Sequence, residues 1–149
     1  MDAESEADFI SPPSTVYADF MTLAATADGL AAAWDAHLRS AFPGASVAEL
    51  SDFLTGFSYS DMDVFTVHIT DCLLRQQTGQ FPTFFQQVDA MLVGGDYRTE
   101  ELTAMGLIEG LQNRLMAAGL HHHTALDAWL LPGTKQFWDD LNDFWEQKK

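Results

Sequence analysis

The sequence predicts an all-α fold, a single-domain bundle of six or seven amphipathic helices. Apolar residues recur at spacings of three and four along most of the chain, which is the pattern of a helix with one buried face. Alternation of apolar and polar residues over five or more positions, typical of strands, is absent. The 149 residues suit one domain and can bury a core without a metal or disulfide. We expect residues 1–13 to form an acidic flexible tail and residues 14–149 to form the helical domain.

The first apolar stripe extends from Val16 to about Phe42. Gly29 lies inside it, and an interior glycine costs a helix about 1 kcal/mol relative to alanine. We therefore expect a break or a kink at Asp28-Gly29, with Asp28 as the candidate cap of a second helix. Pro43-Gly44 ends the element.

Two helix starts follow. Ser46 and Glu49 have the spacing of a capping box, in which each side chain accepts a backbone N–H of the other residue. Ser60 is predicted to cap the next helix, with Gly79 as its end. Phe57 to Tyr59 is the short link between these two helices.

Two further helices lie on either side of the turn at Gly94-Gly95-Asp96. The earlier one begins at Phe81-Pro82, because proline fits the first helical positions. Thr99 is predicted to cap the later one, and Gly119 to end it. The predicted buried face of this later helix comprises Leu102, Met105, Ile108, Leu111, Gln112 and Leu115.

The last helix is the most aromatic part of the chain, with the sequence LPGTKQFWDDLNDFW from Leu131 to Trp145. Thr134 is predicted to cap it. Trp138, Leu141 and Trp145 follow at spacings of three and four, so they lie on one helix face. We interpret this helix as the element that closes the core.

The charge is strongly negative, with 22 acids, 7 bases and a formal net charge of −15. Residues 1–71 hold twelve of the acids and only one base, Arg39. Such a field opposes binding to nucleic acid or to an anionic membrane and attracts a basic protein partner. The predicted partner-binding residues are the acids of this half and two aromatic anchors in the predicted link: Asp28, Asp35, Glu49, Asp52, Asp61, Asp63, Asp71, Phe57 and Tyr59.

No catalytic residue, metal or cofactor is predicted. Cys72 is the only cysteine, and its apolar neighbours favour a buried structural thiol. Three consecutive histidines, His121 to His123, point in different directions and lack the spacing of metal ligands on a helix. His68 and Asp71 lie three residues apart, which leaves open an enzyme or a metal-binding helical protein as one alternative.

The N-terminus, MDAESEADFISPP, lacks the apolar core of a signal peptide, and no apolar run is long enough to span a membrane. We therefore expect a cytoplasmic protein.

Two segments, GLIEGLQNRL (106–115) and LPGTKQFWDDLNDFW (131–145), resemble a small all-helical bacterial family of mostly uncharacterised proteins. Some of its members are similar to immunity proteins of toxin systems. This chain has Pro132 before Gly133, the reverse of the family order. The resemblance implies a binding protein with no catalytic residues, most concretely an immunity protein that occludes a bacterial toxin domain. A DNA-mimic inhibitor of a nucleic-acid-binding protein is the other alternative. The residues that match the family pattern of the second segment are Leu131, Pro132, Thr134, Lys135, Trp138, Leu141, Phe144 and Trp145.

Overall fold

The computed structural model describes residues 15–46, 49, 59–122 and 124–147. Over these ranges the protein is a bundle of six helical segments without a strand, which confirms the predicted fold class. The first two segments are α1 Val16–Ala24 and α2 Leu30–Ala41. The third is a 3₁₀ turn Tyr59–Met62 that leads into α3 Asp63–Leu74, and the fourth is α4 Phe81–Gly94. The fifth runs without a break through α5 Tyr97–Glu101, a π-helix Leu102–Ile108 and α6 Glu109–Ala117, and the sixth is α7 Pro132–Gln147. The predicted tail and the helix after the capping box lie outside the described residues.

The break in the first stripe is confirmed. Gly29 has a φ of 81°, a left-handed conformation that glycine adopts without a steric penalty, and it occupies the N-cap position of α2. Asp28 is therefore not the cap, and its backbone N–H donates to Oε1 of Gln80 at 2.6 Å. The stripe continues across the break, and Phe42 at its end is partly buried. Its buried members are Val16, Phe20, Leu23, Ala27, Leu30, Trp34 and Leu38.

Two predicted helix starts are confirmed, that of α4 at Phe81-Pro82 and the capping box of Ser46 and Glu49, whereas the caps predicted at Ser60 and Thr99 are wrong. The N–H of Glu49 donates to Oγ of Ser46 at 3.1 Å, and the N–H of Ser46 donates to Oε1 of Glu49 at 3.3 Å. Ser60 does not cap α3, because the 3₁₀ turn runs directly into that helix. Thr99 is not a cap either. The carboxylate of Asp96 accepts the N–H of Thr99 at 2.9 Å, and this places Thr99 in the first turn of α5.

Glycines spaced by four residues bring the two central helical segments together. A Cβ at Gly106 would lie 2.6 Å from Cγ of the buried Met62, and a Cβ at Gly110 would lie 3.1 Å from Cγ2 of Thr66. The absence of these methyl groups lets the 3₁₀ turn and α3 pack closely against the π-helix and α6.

The π-helix changes which residues face the core. Its i→i+5 hydrogen bonds widen each turn, so that the buried face recurs at spacings of about four and five residues instead of three and four. Met105, three residues after the buried Leu102, is consequently 44% exposed, and Thr103 and Leu107 are buried. The predicted burial of Met105 is wrong for this reason.

The closing helix α7 buries a different stripe from the predicted one. Thr134, Trp138 and Asn142, at successive spacings of four, are its buried residues, whereas Leu141 and Trp145 are only partly buried. Trp138 is central to this contact. Its indole N–H donates to the carbonyl of His122 at 2.8 Å, and its own carbonyl accepts the side-chain amide of Gln112 at 3.0 Å.

Candidate protein-binding surface

Met105 lies where three grooves on the protein surface adjoin one another. It is surrounded by other large side chains that remain accessible: Tyr59 is 49%, Tyr97 79% and Phe144 45% exposed. Aromatic residues and methionine are the types enriched in protein–protein interfaces. We call this region the Met105 surface, defined by Tyr59, Asp63, Tyr97, Glu100, Glu101, Met105, Glu109, Phe137, Asp140, Leu141, Phe144 and Trp145.

The first groove, which we call the aromatic groove, runs between α7 and the junction of the π-helix with α6. It has a volume of about 280 Å³ and is mostly apolar. The α7 residues at its wall are Phe137, Leu141, Phe144 and Trp145. Leu141 follows Phe137 by four residues and precedes Phe144 and Trp145 by three and four, so all four side chains lie on one side of the helix. The rings of Phe144 and Trp145 lie edge to face, with centroids 5.4 Å apart and planes inclined by 66°. Met105 forms part of the opposite wall.

The other two grooves meet at Tyr59. One lies between the 3₁₀ turn and the π-helix and contains Asp63 and Glu109. The other lies between Tyr59 and Tyr97 and contains Glu100 and Glu101. The Met105 surface therefore extends over three helical segments and has aromatic side chains along its whole length.

Carboxylates surround these apolar residues. Five acids line the three grooves, and among the described lining residues there is no lysine or arginine. Two arginines pair with these acids from the edge: Arg98 with Glu101, and Arg114 with Asp63 at 3.7 Å. Five acids and two bases leave the surface with a net charge of −3. It is thus both apolar and acidic.

The structure brings two of the predicted partner-binding residues, Tyr59 and Asp63, to this surface. Asp61 is close in sequence but turns away. Its carboxylate lies 2.7 Å from Nε2 of His37, from which it accepts a hydrogen bond. The side chain of Asp61 is only 12% exposed. His37 in turn stacks on the buried Trp34, so this contact joins the 3₁₀ turn to α2.

The remaining predicted acids lie elsewhere. Asp35 lies along a separate groove between α1 and α2 and pairs with Arg39 at 2.9 Å. Asp28 and Glu49 are exposed at other positions, and Asp71 lies in a further groove, between α3 and α6, that also contains Asp63. Asp52 and Phe57 lie outside the described residues.

Cys72 is only partly buried, in contrast to the predicted buried thiol, and it has a histidine neighbour that the sequence pattern does not indicate. Its Sγ lies 3.5 Å from Nε2 of His68, one helical turn earlier. Burial raises the pKa of the Cys72 thiol, an effect that outweighs the opposing attraction of Arg75. Burial also lowers the pKa of His68, against the attraction of Asp71. Both shifts favour the neutral thiol and imidazole over the thiolate–imidazolium pair that activates a nucleophilic cysteine.

The histidine run contributes to the fold through its backbone. The carbonyl of His121 accepts the N–H groups of Thr124 and Ala125, and the carbonyl of His122 accepts the indole of Trp138. Within the part of the chain that the structure describes, no three His, Cys, Asp or Glu side chains are grouped so as to hold a metal ion. None of the helices seen there combines the length and apolar character needed to cross a membrane.

Most of the Met105 surface was not predicted. The sequence pattern predicts a buried Met105 and does not mark Tyr97, Phe144, Glu100, Glu101 or Asp140 as partner-binding residues. Glu109 was available as a signal, since it is a carboxylate close to an apolar stripe. The exposure of Met105 depends on the π-helix, which the sequence pattern does not indicate.

These features define an all-helical protein whose accessible aromatic residues and acids converge on one surface. The chain belongs to the DUF7674 family: the model of this family, described as a domain of unknown function, matches residues 36–146. The match includes both segments on which the resemblance to a bacterial family was based. No curated protein and no solved structure matches the chain.

Proposed function

We propose that this protein is a binding module for a basic protein partner, most concretely an immunity protein that neutralises a bacterial toxin by occluding it. The Met105 surface is the observation that carries this proposal. Residues that form interface hot spots, chiefly tyrosine and tryptophan, lie there beside carboxylates with a net negative charge.

The two parts of this surface have different roles in the proposed complex. The exposed apolar groups of Tyr59, Met105 and Phe144 supply area that a partner removes from water, which stabilises the bound state. The carboxylates attract a basic partner during its approach and mainly increase the association rate. A surface of this kind covers a basic active site on a toxin without performing chemistry on it.

The test begins with the neighbouring gene. The protein encoded immediately upstream, or its C-terminal domain, is expressed with this chain and checked for toxicity and for a complex. A secreted toxin that is rescued and bound by this chain supports the proposal. A metabolic enzyme that neither binds nor is inhibited contradicts it.

Matched variants then locate the contact. Met105→Asp places a charge at the centre of the surface and is expected to weaken the complex at least about tenfold. Met116→Asp is the control, because Met116 is 41% exposed on the same helical segment and lines none of the three grooves. Equal loss of binding in both variants would place the interface elsewhere. Association rates that do not change with ionic strength would rule out electrostatic attraction.

A further inference from the structure

We infer that the aromatic groove binds an arginine side chain that projects from the partner protein. This inference rests on the proposed function and specifies what the partner places in the groove. It follows from two independent properties of the groove, its aromatic walls and its carboxylates, which are the two features that a guanidinium group recognises.

The aromatic walls provide the faces on which a flat cation stacks. Phe137, Phe144 and Trp145 line the groove from one side of α7. A cation over an aromatic face is attracted by the quadrupole of the ring, most strongly in the case of tryptophan. Met105 and Leu141 supply apolar contact for the methylene groups between the cation and its backbone.

The carboxylates provide the opposite charge. Glu109, on α6, and Asp140, on α7, line the groove from its two sides. The described lining residues include no lysine or arginine that would neutralise them. A cation entering the groove therefore meets two acids and no competing base from these residues.

Arginine fits these features better than lysine. Its guanidinium is planar, stacks on aromatic rings and donates paired hydrogen bonds to carboxylates, whereas the lysine ammonium is a compact and strongly hydrated point charge. The groove volume, about 280 Å³, is sufficient for one such side chain and too small for a folded element of the partner.

The probe is N-acetyl-arginine methylamide, titrated into the full-length protein. The indole N–H resonance of Trp145, assigned by its loss in Trp145→Phe, reports binding. We expect a saturable shift with a millimolar Kd. The citrulline analogue has nearly the same shape without the charge and is expected to bind at least about fivefold more weakly. The lysine analogue is also expected to bind more weakly than arginine.

Variants identify the groups responsible. Asp140→Asn and Phe144→Leu are each expected to weaken arginine binding at least about threefold. Asp143→Asn is the matched control, because Asp143 is exposed on the same helix and does not line the groove, and binding should not change. Equal binding of arginine and citrulline, preference for lysine, or no effect of both groove variants would overturn the inference.

The outcome can be separated from that of the proposed function. If a toxin binds the Asp140→Asn and Phe144→Leu variants as tightly as it binds the parent protein, the arginine site is wrong and the immunity function stands. If the groove binds arginine but no partner is rescued or captured from the neighbouring gene, the site stands and the immunity function fails.

Discussion

Thr134 donates two hydrogen bonds to a single carboxylate oxygen of Asp89, from its backbone N–H at 2.9 Å and from its hydroxyl at 2.8 Å. Thr134 is fully buried in the first turn of α7, where backbone N–H groups lack partners within the helix. Asp89 belongs to α4 and so caps another helix across the core. This contact joins the first turn of α7, the helix that forms one wall of the aromatic groove, to α4.

Removing this cap should destabilise the fold. Asp89→Ala leaves the N–H and hydroxyl of Thr134 buried without an acceptor, and we expect a loss of about 1–3 kcal/mol in the free energy of unfolding. Asp89→Asn keeps an acceptor oxygen but loses the favourable charge at the helix N-terminus, so its loss should be smaller. Urea denaturation of the three proteins measures the difference. Equal stability of Asp89→Ala and the parent would show that the contact contributes nothing.

Trp138 and Phe144 lie on the same helix but should respond very differently to truncation. Trp138 is 1% exposed, and Trp138→Ala is expected to lose about 3–5 kcal/mol of stability, because it leaves a large cavity. Phe144 is 45% exposed, and Phe144→Ala should lose less than about 1.5 kcal/mol. Thermal unfolding followed by circular dichroism compares them. A Trp138→Ala variant that melts with the parent would contradict the observed burial.

The ends of α3 and α6 are closed by the same kind of backbone hydrogen bond, between an N–H and the carbonyl five residues earlier. At each end one residue adopts the left-handed conformation, but the two residues are of different types. That residue is Gly119 after α6, with φ 75°, and Gln76 after α3, with φ 58°. A side chain is disfavoured in this conformation, so Gln76→Gly should stabilise the protein by about 0.5–1 kcal/mol, and Gly119→Ala should destabilise it by a similar amount. Chemical denaturation of both variants tests the pair, and a destabilising Gln76→Gly would be the contrary result. The equivalent bonds are Gln77 N–H to Cys72 O at 2.8 Å and Leu120 N–H to Leu115 O at 2.9 Å.

His68 should make stability depend on pH. Burial lowers its pKa in the folded protein below the ordinary value of 6.5, despite the attraction of Asp71. The unfolded chain therefore takes up the proton first as the pH falls. The stability that the neutral form of His68 contributes is fully present above pH 6.5 and declines as the pH falls from 6.5 towards the pKa of His68 in the folded protein. Below that pKa the contribution does not change further.

The variant His68→Gln removes this contribution. Unfolding free energies measured from neutral to mildly acidic pH should therefore decline less steeply in His68→Gln than in the parent. A steeper decline in His68→Gln would contradict the direction of the shift.

Sequence periodicity was sufficient for the fold class and for the α1–α2 stripe, because burial there follows regular α-helical spacing. The break at Gly29 and the end of α6 at Gly119 were also predictable, because glycine is the residue type that adopts positive φ most readily. Both glycines have positive φ in the structure. The end of α3 was not: the helix ends at Leu74, five residues before Gly79, with Gln76 in the conformation that glycine favours. Nothing in the local sequence indicates that choice.

The errors at helix starts have a common physical cause. Asp96 and Thr99 are both suitable caps, and the sequence does not reveal which of them adopts the extended backbone that the cap position requires. In the structure Asp96 also accepts the N–H of Thr15 at 2.8 Å, a contact between residues 81 positions apart. The sequence likewise predicts Thr134 as the cap of α7, whereas the structure places it inside the first turn, with Asp89 of another helix as the acceptor of its N–H. Tertiary contacts of this kind are invisible to local patterns.

The π-helix at Leu102–Ile108 also bears on how such a surface evolves. A π-type turn corresponds to a helix that has gained a residue without breaking, so a single-codon deletion within this stretch would restore ordinary α-helical spacing. Met105 would then rotate towards the core, and the grooves on either side would lose their shared residue. Relatives that differ by one residue here would thus expose different side chains on the same bundle, and their surfaces would diverge while their cores keep the same residues.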